Sequence, residues 1–318
     1  MHSSNPSGIR EYGNGILSID THYVREQMDA SHLIVENRSA AFVDTGTTHS
    51  VPYLLAALES QGLAVNDVEY VMLTHIHLDH AGGAGALMQH LPEAKAVVHP
   101  RGARHMADPG KLISGTIAVY GETLYKELYG EIVPIPEDRL IIANDGDRLQ
   151  FGAREFELIH TSGHAKHHYC IVDSESDAVF TGDSFGLSYR EFDTDKGPFI
   201  FPTTTPIHFD PDAAHASIDR IVSYEPEAVF LTHYSRVEYV QRLAGDLHEC
   251  LDEFVRIAEG ASRENPKASI TFEMREYLLQ RLRLHGYEGS NDEARVILDP
   301  DVELNTQGLL FWLEHRER

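Results

Sequence analysis

At 318 residues with 42% hydrophobic content, the chain is long enough for one large core or for a core with an appendage. A formal charge of −24 at pH 7 excludes the basic surface that nucleic-acid binding requires, so no nucleic acid is expected as a partner. Two cysteines, Cys170 and Cys250, cannot make a disulfide framework, and both are expected to be buried thiols.

The N-terminus, MHSSNPSGIREYGNG, lacks the charged start and apolar stretch of a signal peptide, and no apolar run reaches the roughly 18 residues of a membrane span. A cytoplasmic protein with no membrane partner is expected. In chain order, LIVEN (33–37) and AAFVDTG (40–46) read as strands, and VPYLLAALESQG (51–62) reads as a helix ended by glycine. VEYVMLT (68–74) is a buried strand that delivers the chain into THIHLDHAGG, after which GALMQHL reads as helix and AKAVVHP (94–100) as strand. Residues 111–130 suggest one or two helices interrupted by Gly115 and Gly121. DGDRLQF and REFELIH form a pair of strands with Gly152 at the turn, followed by strands at HYCIVD and DAVFTGD.

Periodicity then fails between Gly186 and Asp210, a long aromatic stretch with the profile of a functional loop. Asp210 or Asp212 caps a helix through Tyr224, and EAVFLTH (227–233) reads as the last strand. Beyond it, Val240, Leu243, Leu247, Leu251 and Phe254 define one amphipathic helix, Met274, Leu278 and Leu282 a second, and LLFWL marks a third. Residues 1–240 are expected to form a catalytic domain and 241–318 a helical extension that packs on it or forms a homodimer contact.

The chain holds 20 histidines, and they matter where spacing gives them geometry. In THIHLDH, His75 and His77 lie two apart on an extended segment and point the same way, while Asp79 and His80 follow at the bend into Ala81-Gly82-Gly83. Imidazole and carboxylate donors suit borderline divalent metals. His164, Asp183 and His233 each stand at the end of an apolar run, where a bare polar group needs a partner and a metal supplies one. His167 and His168 lie close to that set; His168 is expected to support a ligand from behind.

THIHLDHAGG, TSGH, FTGD and LTH, in this order, together with the upstream FVDTG, resemble the metallo-β-lactamase superfamily. The resemblance implies an α/β fold, the four-layer αββα sandwich. It implies two divalent ions, zinc first with iron or manganese as other occupants. His75, His77 and His164 would hold one ion, Asp79, His80 and His233 the other, Asp183 would bridge both, and Asp44 would support from behind. The family's usual proline in its third motif is Ser162 here.

Two neighbouring dications lower the pKa of a shared water, so a metal-bridging hydroxide is the expected nucleophile and Asp79 its orienting and proton-carrying group. The bridging Asp183 turns the resemblance away from true β-lactamases and toward glyoxalase II, lactonases and processing nucleases; the net charge argues against the last. A small-molecule thioester, ester or lactone is the expected substrate. The lactonase tyrosine is absent after Asp183, where Ser184, Phe185 and Gly186 stand instead. Tyr189, Phe192, Phe199 and Phe201 either wall the substrate pocket or pin the long loop to the core, and Tyr120, Tyr125 and Tyr129 carry the same two alternatives. The rival expectation is a persulfide dioxygenase-like oxidoreductase using a single iron held by two histidines and one carboxylate.

Overall fold

The computed structural model describes residues 8–316; residues 1–7, part of the stretch expected to lack a signal peptide, and 317–318 lie outside the described residues. The chain divides into two compact units that interleave along the sequence. The first comprises the residues up to His160, His167–Gly182 and Val229–Arg236; the second comprises Thr161–Lys166, Asp183–Ala228 and the residues from Val237 onward.

The first unit opens with strands β1 (Ile9–Glu11), β2 (Ile16–Asp20), β3 (Ala30–Glu36) and β4 (Ser39–Val43). Helix α1 (Val51–Ser60), β5 (Val68–Met72), α2 (Leu78–Ala81), α3 (Ala84–His90), β6 (Lys95–Val98), α4 (Pro100–Ala107), α5 (Gly110–Tyr120), α6 (Glu122–Tyr129) and β7 (Leu140–Ile142) follow. These seven strands pair in sequence order, antiparallel from β1 to β4 and parallel from β4 to β7. Parallel neighbours need a crossover, and the helices between β4 and β7 supply it.

The second sheet contains β8 (Arg148–Phe151), β9 (Arg154–His160), β10 (Tyr169–Asp173), β11 (Ala178–Gly182), β12 (Ala228–Leu231) and β13 (Ser235–Val237), neighbours again in sequence order. Strand alternation decides what each face buries. In β4, Ala40 and Phe42 join the core under α1 and α3, while Ala41 and Val43 turn to a second core shared with Phe156, Leu158, Ile171 and Phe180 of the other sheet. β6 repeats the division, Ala96 and Val98 on one side and Val97 on the other. The result is a sheet-on-sheet sandwich with helices on its outer face.

The second unit holds α7 (Pro211–Val222), α8 (Val240–Gly260), α9 (Pro266–His285) and α10 (Asn291–His315). Of the two candidate caps, Asp210 is the one that caps α7, accepting from Ala213 N, and α8, α9 and α10 pack on one another. α10 starts well before LLFWL, at a capping box in which Ser290 and Glu293 accept reciprocally, and it accommodates Pro300.

Three sequence expectations change. EAVFLTH is not the last strand, because β13 follows it; three residues are too few for alternation to register. Gly115 does not interrupt α5, where it sits exposed with no packing to forbid a helical turn, and Gly121, at φ +79°, ends the helix instead. β1 and β2 were not anticipated in the glycine-rich start.

The 186–209 loop is fastened to α10. Asn305 Oδ1 accepts from Thr204 N at 2.6 Å, the Asn305 carboxamide donates to Pro202 O at 3.2 Å, and Thr204 Oγ1 donates to Asn305 O at 3.0 Å. Gly308 lets the loop backbone lie directly on the helix, since a Cβ there would overlap the Thr204 carbonyl. Gly308→Ala is therefore expected to destabilise the protein by about 2 kcal/mol or more, the scale of overpacking against an unyielding backbone. Urea denaturation measures it, and a loss below about 0.5 kcal/mol would show that the loop does not depend on this approach.

Candidate metal centre

Beyond β5 the chain bends at Thr74 and reaches His77, the N-cap of α2, in an extended conformation at φ −64° and ψ 148°. His75 Nε2 and His77 Nδ1 consequently stand 2.8 Å apart. Two ring nitrogens at that separation either share a proton or turn their lone pairs on one cation. The first turn of α2 then presents Asp79 and His80.

His80 is buried and its orientation is fixed. Its Nδ1 donates to Asp44 Oδ2 at 2.8 Å, so its Nε2 carries the lone pair. Asp44 also accepts from Thr74 N at 2.9 Å, from Thr74 Oγ1 at 2.8 Å and from Thr232 Oγ1 at 2.8 Å, which ties the ends of β4, β5 and β12 to one carboxylate. The turn after β12 delivers His233, whose Nδ1 lies 2.7 Å from Asp29 Oδ1, leaving its Nε2 as an acceptor in turn.

His80 Nε2 and His233 Nε2 stand 3.7 and 3.6 Å from Asp79 Oδ2. These separations are too long for hydrogen bonds. They approach the roughly 3.4 Å edge of a tetrahedron whose donors each lie about 2.1 Å from a central zinc. Two lone pairs and a carboxylate oxygen meeting at one point is an arrangement that a divalent cation fits, and Asp79, His80 and His233 all offer a ligand atom within 4.8 Å of one another.

Asp29 was not singled out from the sequence. It is fully buried, and burial raises its pKa to about 6 against the opposing pull of His233. Nothing in MDASH marks it; only the pairing of Ala30 N with Thr232 O brings it beside the end of β12. Asp29→Ala is expected to weaken metal binding about 10- to 100-fold while leaving the circular dichroism spectrum intact, because it frees the His233 ring to turn. Competition with a chromophoric chelator measures this, and an unchanged affinity would remove Asp29 from the centre.

His168 lies against His75. Its ring stacks on His75 with centroids 4.8 Å apart, and it fits because a Cβ at Gly182 (φ +47°) would come within 2.7 Å of its Nε2. His167 meets His77 edge to face at 5.5 Å.

In the second unit, His164 Nε2 and Asp183 Oδ2 are 3.3 Å apart, and Thr205 Oγ1, at the end of the fastened loop, lies 3.4 Å from His164 Nδ1. Tyr189, Phe192, Phe199 and Phe201 are all buried there. Tyr189 donates to Asp301 Oδ2 at 3.1 Å, Phe192 meets Phe199 and Tyr287 edge to face, and Phe201 packs on Tyr189 and Phe199. These contacts are those of aromatics that pin a loop.

Two buried phenols feel the charge of Asp79. Tyr23 donates to Tyr129 at 3.1 Å, and burial pushes both well above the usual tyrosine range, with the charge of Asp79 adding to the effect. Both therefore remain neutral hydrogen-bond donors across the working pH range.

A two-sheet α/β sandwich with imidazoles and carboxylates gathered at its strand ends is a scaffold able to hold divalent cations. The chain belongs to the metallo-beta-lactamase superfamily, whose family model matches residues 25–233. It is 28% identical over 173 residues to a metallo-beta-lactamase fold-containing protein of Sulfurisphaera tokodaii, a match covering 53% of this chain and 61% of the relative. An atrochrysone carboxyl ACP thioesterase of Aspergillus chevalieri is 28% identical over 156 residues, covering 48% of this chain and 39% of that one. A hydroxyacylglutathione hydrolase of Aeromonas hydrophila is 28% identical over 153 residues, covering 48% and 44%. The matches thus span about two fifths to three fifths of these relatives' lengths. The solved structure of an archaeal superfamily protein from Sulfolobus tokodaii superposes with a TM-score of 0.64 at 21% identity, covering 94% of this chain and 99% of that one, which confirms the fold. Among the described residues no helix is long and apolar enough to cross a membrane.

Proposed function

We propose that the protein is a dinuclear zinc hydrolase that cleaves a small-molecule acyl thioester, with esters and lactones as the neighbouring substrate classes, in the cytoplasm. The observation that carries this reading is the convergence of His80 Nε2 and His233 Nε2 on Asp79 Oδ2, each imidazole held from behind by a buried carboxylate. In this assignment His75, His77, His164 and Asp183 would hold one ion, and Asp79, His80 and His233 the other, with Asp183 as the carboxylate available to both. Bound there, the ions supply a water of lowered pKa and polarise the acyl carbonyl.

The side chains do the rest. Asp79, about a quarter exposed, orients the attacking water and accepts its proton. Asp44 and Asp29 hold two imidazoles in one tautomer, and Thr205 steadies a third. Hydrolysis forms a C–O bond at the carbonyl carbon and breaks the C–S bond, and the proton taken by Asp79 passes to the departing sulfur. The names of two matched relatives, an ACP thioesterase and a hydroxyacylglutathione hydrolase, support acyl–sulfur cleavage as the first class, and the charge of −24 supports a small molecule over a nucleic acid.

The test is metal analysis joined to an activity screen over thioesters, lactones and phosphoesters. About two zinc ions per chain with thioester turnover is the expected result. A single iron per chain with oxygen consumed on glutathione persulfide would overturn it.

A further inference from the structure

Helix α5 has a composition at odds with its setting. GKLISGTIAVY is mostly apolar, yet none of its residues is buried. Leu112, Ile113, Ile117 and Tyr120 are half-buried against a small core formed by Tyr23, Leu78, Tyr125, Tyr129 and Ile132. These side chains keep part of their surface in water, and Val119 and, on α6, Leu124 are exposed, so the two helices forgo part of the ~25 cal/mol per Å² that burial supplies; apolar surface left in that state is surface a ligand can cover.

The inner end of this face is the metal centre. Leu78 lies between His77 and Asp79 in the chain, and Met28, half-buried against the same core, precedes Asp29, with its carbonyl 3.2 Å from His233 Nδ1. Tyr23 and Tyr129 close that end with rings stacked at 5.9 Å. Tyr23 donates to Tyr129, so the Tyr129 proton is left to donate to another acceptor. The wall therefore runs from the half-buried apolar residues of α5 inward to the Tyr129 hydroxyl and to Leu78, which adjoins Asp79 in the chain, matching a molecule with an apolar tail and a polar reacting head.

We propose that the α5–α6 face is the acyl-binding wall of the metal centre, that it selects linear medium-length acyl chains, and that Tyr129 donates to a polar atom at the head of the chain. The proposal rests on the hydrolase reading above and names its substrate class. An α-helix of 11 residues is roughly 16 Å long, enough to run beside an extended decanoyl chain. Continuity with Asp79 and His233 favours a substrate chain over a second copy of the protein as the occupant.

The experiment uses the full-length, zinc-loaded protein with two readouts: kcat and KM on acetyl, hexanoyl and decanoyl pantetheine thioesters, and calorimetric binding of the non-hydrolysable S-hexyl and S-decyl thioethers. Each methylene laid on the wall is expected to raise kcat/KM about fourfold, the equivalent of ~0.8 kcal/mol per buried CH₂. Ile113→Asp is expected to lower the decanoyl-to-hexanoyl ratio of kcat/KM at least tenfold through KM, with a matching loss for S-decyl binding. Ile113→Ala, which removes only volume, is expected to shift both in the same direction by less, and keeps the test sound if the aspartate variant misfolds. Tyr129→Phe is expected to weaken binding of both thioethers alike, without changing their ratio.

A flat chain-length profile with thioester turnover intact would overturn the wall and leave the hydrolase standing. Chain-length-dependent thioether binding without any thioester turnover would do the reverse. A dimer seen by light scattering that Ile113→Asp dissociates, with no thioether bound, would show the face to be covered by a second copy and would overturn the proposal.

Discussion

Asp79→Asn is expected to lower kcat at least about 100-fold while the protein still binds metal. The substitution keeps the shape of the side chain and one oxygen in the same place, but it removes the negative charge and the capacity to accept a proton. Asp79 is about a quarter exposed in the first turn of a four-residue helix, so the amide is tolerated there and the fold should be preserved. His80 and His233 keep their supporting carboxylates, and His75 and His77 are untouched, so donors for at least one ion remain. Steady-state kinetics with metal content measured on the same sample decides the matter. Unchanged turnover would remove Asp79 from the chemistry.

Asp44→Ala carries the largest expected effect on stability. Its carboxylate, 1% exposed, accepts from Thr74 N, Thr74 Oγ1, His80 Nδ1 and Thr232 Oγ1, and these donors come from three separate segments. Each buried donor left without an acceptor costs about 1–3 kcal/mol, so a loss of about 4 kcal/mol or more is expected even with some relaxation. Asp44 also adopts φ +55°, a left-handed conformation that aspartate tolerates better than alanine, which adds to the cost. Asp44→Asn is expected to recover only part of this, because its NH₂ group turns a donor toward donors. Urea denaturation of the metal-free protein isolates the structural effect, and a loss below about 1 kcal/mol would show that the three segments are held by other means.

What could be read from the sequence follows from how local each signal is. His75, His77, Asp79 and His80 were legible because they sit in one short stretch whose extended-then-helical geometry is itself readable. His164, Asp183 and His233 were legible as polar endings of apolar runs, and the strands duly end just before Asp183 and His233. Asp44 was found through resemblance, since a lone aspartate after a strand carries no spacing signal. Asp29 had no such help. Its role exists only because a single backbone hydrogen bond, Ala30 N to Thr232 O, joins the start of β3 to the end of β12 in the other sheet, a juxtaposition of distant segments that periodicity does not encode. The aromatic loop and the tyrosines of 120–129 posed the same ambiguity, since burial and ligand contact favour the same residue types. The third C-terminal helix was underestimated for a different reason: Pro300 masks its first turns, although Ser290 with Glu293 is a readable start.

The attachment of the long loop to α10 limits how the protein can be shortened. A chain cut after residue 240 would keep the whole of the segment matched by the family model, yet it would lose Asp301, Asn305 and Gly308. The loop would then lose the Tyr189–Asp301 and Thr204–Asn305 hydrogen bonds that flank Thr205, the residue that reaches His164. Dissection at that boundary would therefore yield a loop in search of its helix rather than a minimal enzyme, and grafting this motif set onto another sandwich would require α10 to travel with it.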